Sequence, residues 1–217
     1  MTEINVALSD YALAAECAII VWLLASLNAA GSSIRGWFIV FYAAIGLAAF
    51  TGGTVHGFFS DESSVPNRIL WTSTLIAIGI TSLAGIRIAA ILQFGGSGSR
   101  FVKRITYLLF VCYCVVVLFV SDAFVVAMFG YLPMTLFLGF EWFAEYQRRH
   151  QPVMLLGGIG AILTLVAAAV QRLPDGTFVA WFENNVSYHL LQALALLIIY
   201  FPSRELSKYY AGKIHNY

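Results

Sequence analysis

Glu183–Pro202, ENNVSYHLLQALALLIIYFP, decides how this chain folds. It opens polar, with Asn184, Asn185, Ser187 and His189, and closes as an unbroken apolar run. A run of that kind, about 20 residues long, has the length of a membrane-crossing helix. Here the helix begins with a wet, chemically equipped mouth. The segment that matches it is Gly52–Asp61, GGTVHGFFSD, which also carries a histidine near a helix end.

Working outward, apolar runs of the same kind recur along all 217 residues. The composition is 60% hydrophobic and 11% charged, whereas a soluble domain carries about 25% charged residues. The spacing predicts an all-α, polytopic membrane protein: a single bundle of seven transmembrane helices over about 8–28, 37–60, 68–94, 104–121, 123–147, 153–171 and 183–202. The apolar stretch 105–142 is too long for one span. A break at Ser121–Asp122 gives two ordinary spans and leaves Pro133 as a kink; the alternative break is at Gly130–Pro133. No soluble domain or repeat is evident. The N-terminal MTEINVALSD lacks the basic region of a signal peptide, so the first helix is expected to be retained.

Seven spans place the termini on opposite sides. Nine basic residues (Arg35, Arg100, Lys103, Arg104, Arg148, Arg149, Arg204, Lys208 and Lys213) fall on the C-terminal side, against Arg68 and Arg172 on the other. The bias of Lys and Arg toward the cytosol then predicts N-terminus out and C-terminus in. Trp37 and Trp142 fall at the expected inner interface, Trp71 and Trp181 at the outer one. Which membrane is crossed stays open.

With a net charge of +1 and no basic block, nothing points to nucleic acid. Cys17, Cys112 and Cys114 all lie in apolar runs and suggest neither a disulfide framework nor a thiolate metal site.

The orientation sets depths. His56 lies one turn below the outer end of the second helix, and His189 one to two turns below the outer start of the seventh. Asp10, Asp61, Asn67 and Asp122 fall near the same level. Asn185, His189 and Gln192 are spaced i, i+4, i+7 and share one helix face. A polar stripe on a membrane helix is expected to face the bundle interior, since unsatisfied polar groups in hydrocarbon cost several kcal/mol. Gly52 and Gly53, one turn before His56, permit close approach of a backbone or ligand. The plainer alternative is that the polar stripe only hydrogen-bonds neighbouring helices. For Glu16 a simple polar partner suffices, and Arg87 reads as a snorkelling side chain.

Seven spans, with one His near the end of the second and one near the start of the seventh, resemble the alkaline ceramidases. That family belongs to a superfamily with the progestin/adiponectin receptors and the Per1 lipid-remodelling proteins. The resemblance implies a pattern of SxxxH on helix 2, an Asp near the start of helix 3, and HxxxH on helix 7. The three His hold a zinc ion whose water attacks a lipid amide. YHLLQALAL resembles the continuation of the last motif, with His189 as its second His. Asn185 stands where the first His would be, Gly52 where the Ser would be (Thr51 and Thr54 are the nearest hydroxyls), and Asn67 where the Asp would be.

The expectation is therefore a zinc site at His56 and His189 that hydrolyses an amide or ester in a membrane lipid. Asp61 is the first choice for base or third ligand, followed by Asp10 and Asp122. Asn185 and Gln192 would orient His189. Two other classes compete: a non-catalytic accessory subunit of a membrane complex or lipid sensor that kept the fold and lost the metal, and a bis-His haem protein.

Overall fold

In a computed structural model, which describes residues 3–29, 31–94, 100–173 and 183–214, the chain is all-α. Seven helices follow one another: α1 (Ile4–Ala25), α2 (Ser33–Phe58), α3 (Val65–Phe94), α4 (Arg100–Phe119), α5 (Phe124–Arg149), α6 (Val153–Val170) and α7 (Asn184–Ile214). Each is long and apolar enough to cross a membrane. Trp181 lies outside the described residues.

The packing order is not the chain order. Six helices form a closed ring, α1–α2–α3–α5–α6–α7, with α7 returning to α1; α4 stands outside it against α3. What ties α4 on is Tyr113, whose hydroxyl donates to the Leu75 carbonyl at 2.7 Å. Its ring rests where Gly79 and Gly130 offer no side chain.

Glycines set the spacing elsewhere too. With no hydrophobic drive between helices in lipid, close backbone approach and shape supply the packing energy. Along α1 and α2 a Cβ on Gly46 would meet the Cys17 Cβ at 3.0 Å, and one on Gly53 would meet the Asp10 Cβ at 2.8 Å. Between α5 and α6 the indole of Trp142 fills the space over Gly157 and stacks on Phe38, ring centroids 6.0 Å apart. Gly157→Ala would drive a methyl group into that indole. The expected cost is about 1–3 kcal/mol, checked by reversible unfolding in mixed micelles; Gly158→Ala, which meets nothing within 4 Å, is the silent control.

At the face carrying the C-terminus, Glu145 takes Arg148 at 3.0 Å and Arg149 from one turn below. The Arg149 guanidinium lies 3.6 Å over the Tyr209 ring. Arg148 also closes the end of α3, donating to the Leu92 carbonyl at 3.1 Å and to Gln93 at 2.5 Å. These are fastenings between α3, α5 and α7.

The seventh helix is longer than the span expected at 183–202. Pro202 lacks an N–H, yet α7 continues to Ile214. Ser203 and Ser207, both fully buried, donate back to the carbonyls of Ile199 and Ser203 at 2.8 and 2.7 Å. These bonds fasten the turns around the proline; the carbonyl that Pro202 itself leaves without a donor is that of Ile198, one turn earlier. The chain turns between α4 and α5 through Ser121 and Asp122, and Pro133 lies inside α5.

Candidate functional site

Within the ring lies a partly open cavity of about 290 Å³, in the half of the bundle that holds the start of α1. All six ring helices line it and α4 does not. Its polar wall carries Asp10 from α1, Gly52 and His56 from α2, and Asn185, His189 and Gln192 from α7. The rest is largely apolar: Leu13, Ile45, Ile78, Phe124 and Met128, with Trp71 and two tyrosines, Tyr131 and Tyr188.

Asp10 is carried in by the α1–α2 contact. Gly53 is flush with the α1 backbone, so the second turn of α1 sits directly on α2 and the Asp10 carboxyl reaches past Gly52. There it meets His189: Nε2 lies 3.1 Å from Asp10 Oδ1. Both residues are buried, at 4% and 8% exposure. The other ring nitrogen, Nδ1, lies 2.9 Å from Ser9 Oγ.

Ser9 links the pair to the backbone. Its hydroxyl lies 2.8 Å from the Val6 carbonyl and 2.9 Å from His189 Nδ1, and it has one proton to give. Given to Val6, it leaves Ser9 Oγ to accept from a protonated Nδ1, and the Asp10–His189 pair, sharing one proton, is neutral. Given to Nδ1, it puts the ring proton on Nε2, facing the Asp10 carboxylate. In both arrangements Nε2 and Asp10 Oδ1 hold a proton between them, with each member in reach of the cavity. It is not a nucleophilic triad, because Ser9 does not line the cavity.

The neighbours of His189 along α7 are held as well. Asn185 Oδ1 accepts from Gln171 Nε2 at 3.1 Å. Gln192 donates to Thr164 at 3.4 Å, while its Oε1 is buried without a hydrogen-bond partner. Across the cavity, His56 Nδ1 pairs with Glu3 at 2.8 Å, and the Glu3 amide donates to the His56 carbonyl at 3.1 Å. The start of the chain is clasped to the end of α2 by both bonds.

Of the residues expected from sequence, His56, His189, Asp10, Asn185, Gln192 and Gly52 are brought to one cavity. Thr51, Asn67, Asp61 and Asp122 are outside its lining. Thr51 bonds Thr74 at 2.7 Å between α2 and α3. Asn67 donates to the Phe59 carbonyl at 2.6 Å and shapes the α2–α3 turn. Asp61 is exposed in that turn, where it accepts from the Ser63 hydroxyl at 2.7 Å and amide at 3.0 Å. These two bonds hold its carboxyl below the usual carboxylate range. Asp122 contributes its backbone carbonyl, which takes the Trp71 indole N–H at 2.8 Å. Sequence reading missed Ser9 and Glu3; a serine next to an aspartate, and an acid before the first helix, have no periodic signature.

The donor set does not complete a zinc site in this arrangement. Catalytic zinc takes three protein ligands and a water, and no group of three His, Cys, Asp or Glu side chains placed to hold a metal occurs among the described residues. Both nitrogens of His189 are engaged, one nitrogen of His56 is taken by Glu3, and the Asn185 amide oxygen is spent on Gln171. Axial ligation of a haem by His189 would break one of the same two bonds.

Fold and site thus define a seven-helix bundle with a buried acid–base pair facing an internal cavity. By the family model that matches residues 5–208, the chain belongs to a family of unknown function, DUF6962. Among curated proteins and among solved structures, nothing matches it.

Proposed function

We propose that the protein is an integral membrane protein that binds an amphiphilic molecule in this cavity, with the Asp10–His189 pair at its polar end. The observation that carries the reading is the pair itself: two buried ionisable groups, 3.1 Å apart, facing a largely apolar cavity. Intramembrane ionisable residues are rare and mark functional sites by default, and ligand sites combine apolar walls with a few placed polar groups. The excess of Lys and Arg near the C-terminal face supports a cavity on the side away from the cytosol. On this reading the protein is a lipid or small-ligand sensor, or the ligand-binding subunit of a membrane complex.

A second reading is hydrolysis of a lipid amide or ester, as the likeness to alkaline ceramidases implies. It is favoured by the position of the pair, which is placed to take a proton from a cavity water and return it to a leaving group. In this form the chemistry runs through Asp10 and His189. A zinc-dependent version requires a third ligand that the described donor set lacks.

The test is enrichment of bound molecules. Protein purified in nanodiscs is extracted and its small molecules are compared with those of Ala48→Trp, which fills the cavity from α2. One amphiphile retained by the wild type and reduced at least about tenfold in the variant is the expected result, since the indole intrudes into the cavity from its lining. Equal retention by both would sink the reading. If the retained molecule is found cleaved, and His189→Ala retains it intact, the hydrolase reading takes precedence; stoichiometric zinc in the same preparation would restore the metal-dependent form.

A further inference from the structure

This inference rests on the cavity being a ligand site and names the class of molecule that enters it. Asp10 is the one carboxylate in the lining, and no Lys or Arg accompanies it there. Its Oδ1 faces His189. Its Oδ2 has no hydrogen-bond partner among the described residues and keeps a surface in the cavity. On that side the wall is Gly52, where even an added Cβ would stand 3.9 Å away. The oxygen is open to a ligand, while Thr74 and Asn185 of the same lining are already paired with Thr51 and Gln171.

Around this carboxylate the lining is aromatic. Trp71, Phe124, Tyr131 and Tyr188 come from α3, α5 and α7, and each is part-buried rather than sealed. Aromatic faces attract cations. Phe124 already does so, because the guanidinium of Arg172, exposed beyond the lining, lies 5.9 Å from its ring centroid. Among the described residues no Lys or Arg lies over the other three rings. A carboxylate or phosphate head would come to rest beside Asp10 with no cation to meet it, which is strongly disfavoured.

The two proton arrangements of the pair differ by one charge. With the Ser9 hydrogen on Val6, the pair holds one proton on Nδ1 and one shared with Asp10, and is neutral. With that hydrogen on Nδ1, the pair keeps a single proton, on Nε2, and carries one negative charge. An empty cavity favours the first, and a cation beside Oδ2 favours the second. The other titratable groups at the cavity are few. Glu3, ahead of α1, holds His56 of α2; α3 and α6 bring none to the lining, α5 brings Tyr131 and α7 brings Tyr188.

We infer that the cavity takes an amphiphile with an alkylated ammonium head, and that the Asp10–His189 pair gives up one proton as it binds. The ammonium lies against Asp10 Oδ2 among the rings. The proton leaves to water, Asp10 stays a carboxylate, and neutral His189 keeps its proton on Nε2 while Ser9 donates to Nδ1. A primary ammonium fits less well, because its three N–H groups each seek an acceptor and the wall offers one free carboxylate oxygen.

Three probes of similar size and different charge test this: hexyltrimethylammonium, hexyldimethylamine N-oxide, which is neutral overall, and hexanesulfonate. Short chains suit a cavity of about 290 Å³, at the small end for ligand sites. Each is titrated calorimetrically into protein in maltoside micelles, with empty micelles subtracted, in two buffers of different ionisation enthalpy so that released protons are counted. The ammonium is expected to bind at least about tenfold more tightly than either other probe and to release about one proton. Because it binds the form with fewer protons, its affinity should rise with pH, by up to about tenfold per pH unit. Asp10→Asn should cut ammonium affinity at least about tenfold and end the proton release. If Asp10→Asn does not fold, the ranking and the proton count on wild-type protein decide. Proton release lost in His56→Gln but kept in Asp10→Asn would give the exchange to the other histidine and overturn the inference, as would tight ammonium binding with no proton released. The N-oxide or the sulfonate binding best, with binding abolished in Ala48→Trp, overturns the cation inference and leaves the cavity reading standing. Ammonium binding no weaker in Ala48→Trp than in wild type overturns both.

Discussion

Asp10→Ala will destabilise the bundle by about 3 kcal/mol, near the range for breaking a buried pair by removing one partner, whereas Asp10→Asn will cost less than about 1 kcal/mol. The contrast follows from the proton count. With the Ser9 hydrogen on the Val6 carbonyl, His189 Nδ1 carries a proton and Nε2 must be met by a donor or be itself protonated. Alanine offers neither and leaves a buried nitrogen unpaired. Asparagine can turn its NH₂ toward Nε2 and do what the shared proton does. Double-mutant cycles on hydrogen bonds in membrane bundles average only about 0.6 kcal/mol, which argues for a smaller loss. Here, however, the groups are ionisable and nearly sealed from solvent, so desolvation decides the magnitude. The measurement is reversible unfolding of wild type, Asp10→Ala, His189→Leu and the double variant. Single losses that simply add would show that the pair is not coupled. A nitrogen-15 spectrum gives an independent check, because Nδ1 of His189 should stay protonated in wild type and in Asp10→Asn. A spectrum with Nδ1 bare would overturn the assignment.

Apolar periodicity and the distribution of charge were enough to read the number of helices, because seven runs of membrane length leave little freedom. Depth was legible too. His56, His189 and Asp10 could be levelled by counting turns from helix ends, and the structure brings all three to one cavity. Direction was less accessible. Asp61 lies within a few residues of His56 in sequence, yet α2 has ended by then and the carboxyl is used by Ser63. Asp122 shares the level but meets the Trp71 indole through its carbonyl. The outside position of α4 was hidden because a lipid-facing helix and a ring helix are equally apolar. Ser9 was hidden because its role depends on a helix 180 residues away. The extension of α7 past Pro202 was hidden because a proline reads as a helix end, and only the packed state shows Ser203 and Ser207 buried beyond it.

Gly53→Leu should be the most damaging single change to the site, although Gly53 is neither charged nor part of the cavity lining. A Cβ there would stand 2.8 Å from the Asp10 Cβ and 3.2 Å from the Ala7 carbonyl oxygen. Neither is the end of a flexible side chain, so the whole N-terminal half of α1 must move away. That half carries Ser9 and Asp10, which hold His189, and begins at Glu3, which holds His56. All four side-chain contacts clasping α1 to its neighbours here would lengthen together, including that of Tyr11 with Thr54 at 3.0 Å. The expected result is loss of ligand retention by more than about tenfold, with overpacking costing about 1–3 kcal/mol. Gly52→Ala separates this effect from mere crowding. Its Cβ would meet Thr74 and Asp10 only at 3.7 and 3.9 Å, so it narrows the cavity and leaves α1 in place. If α1 positions the site, the two neighbouring glycines must differ sharply: retention abolished at Gly53 and only trimmed at Gly52. Equal losses at both would mean that the cavity wall, not the seating of α1 on α2, sets the geometry of the Asp10–His189 pair.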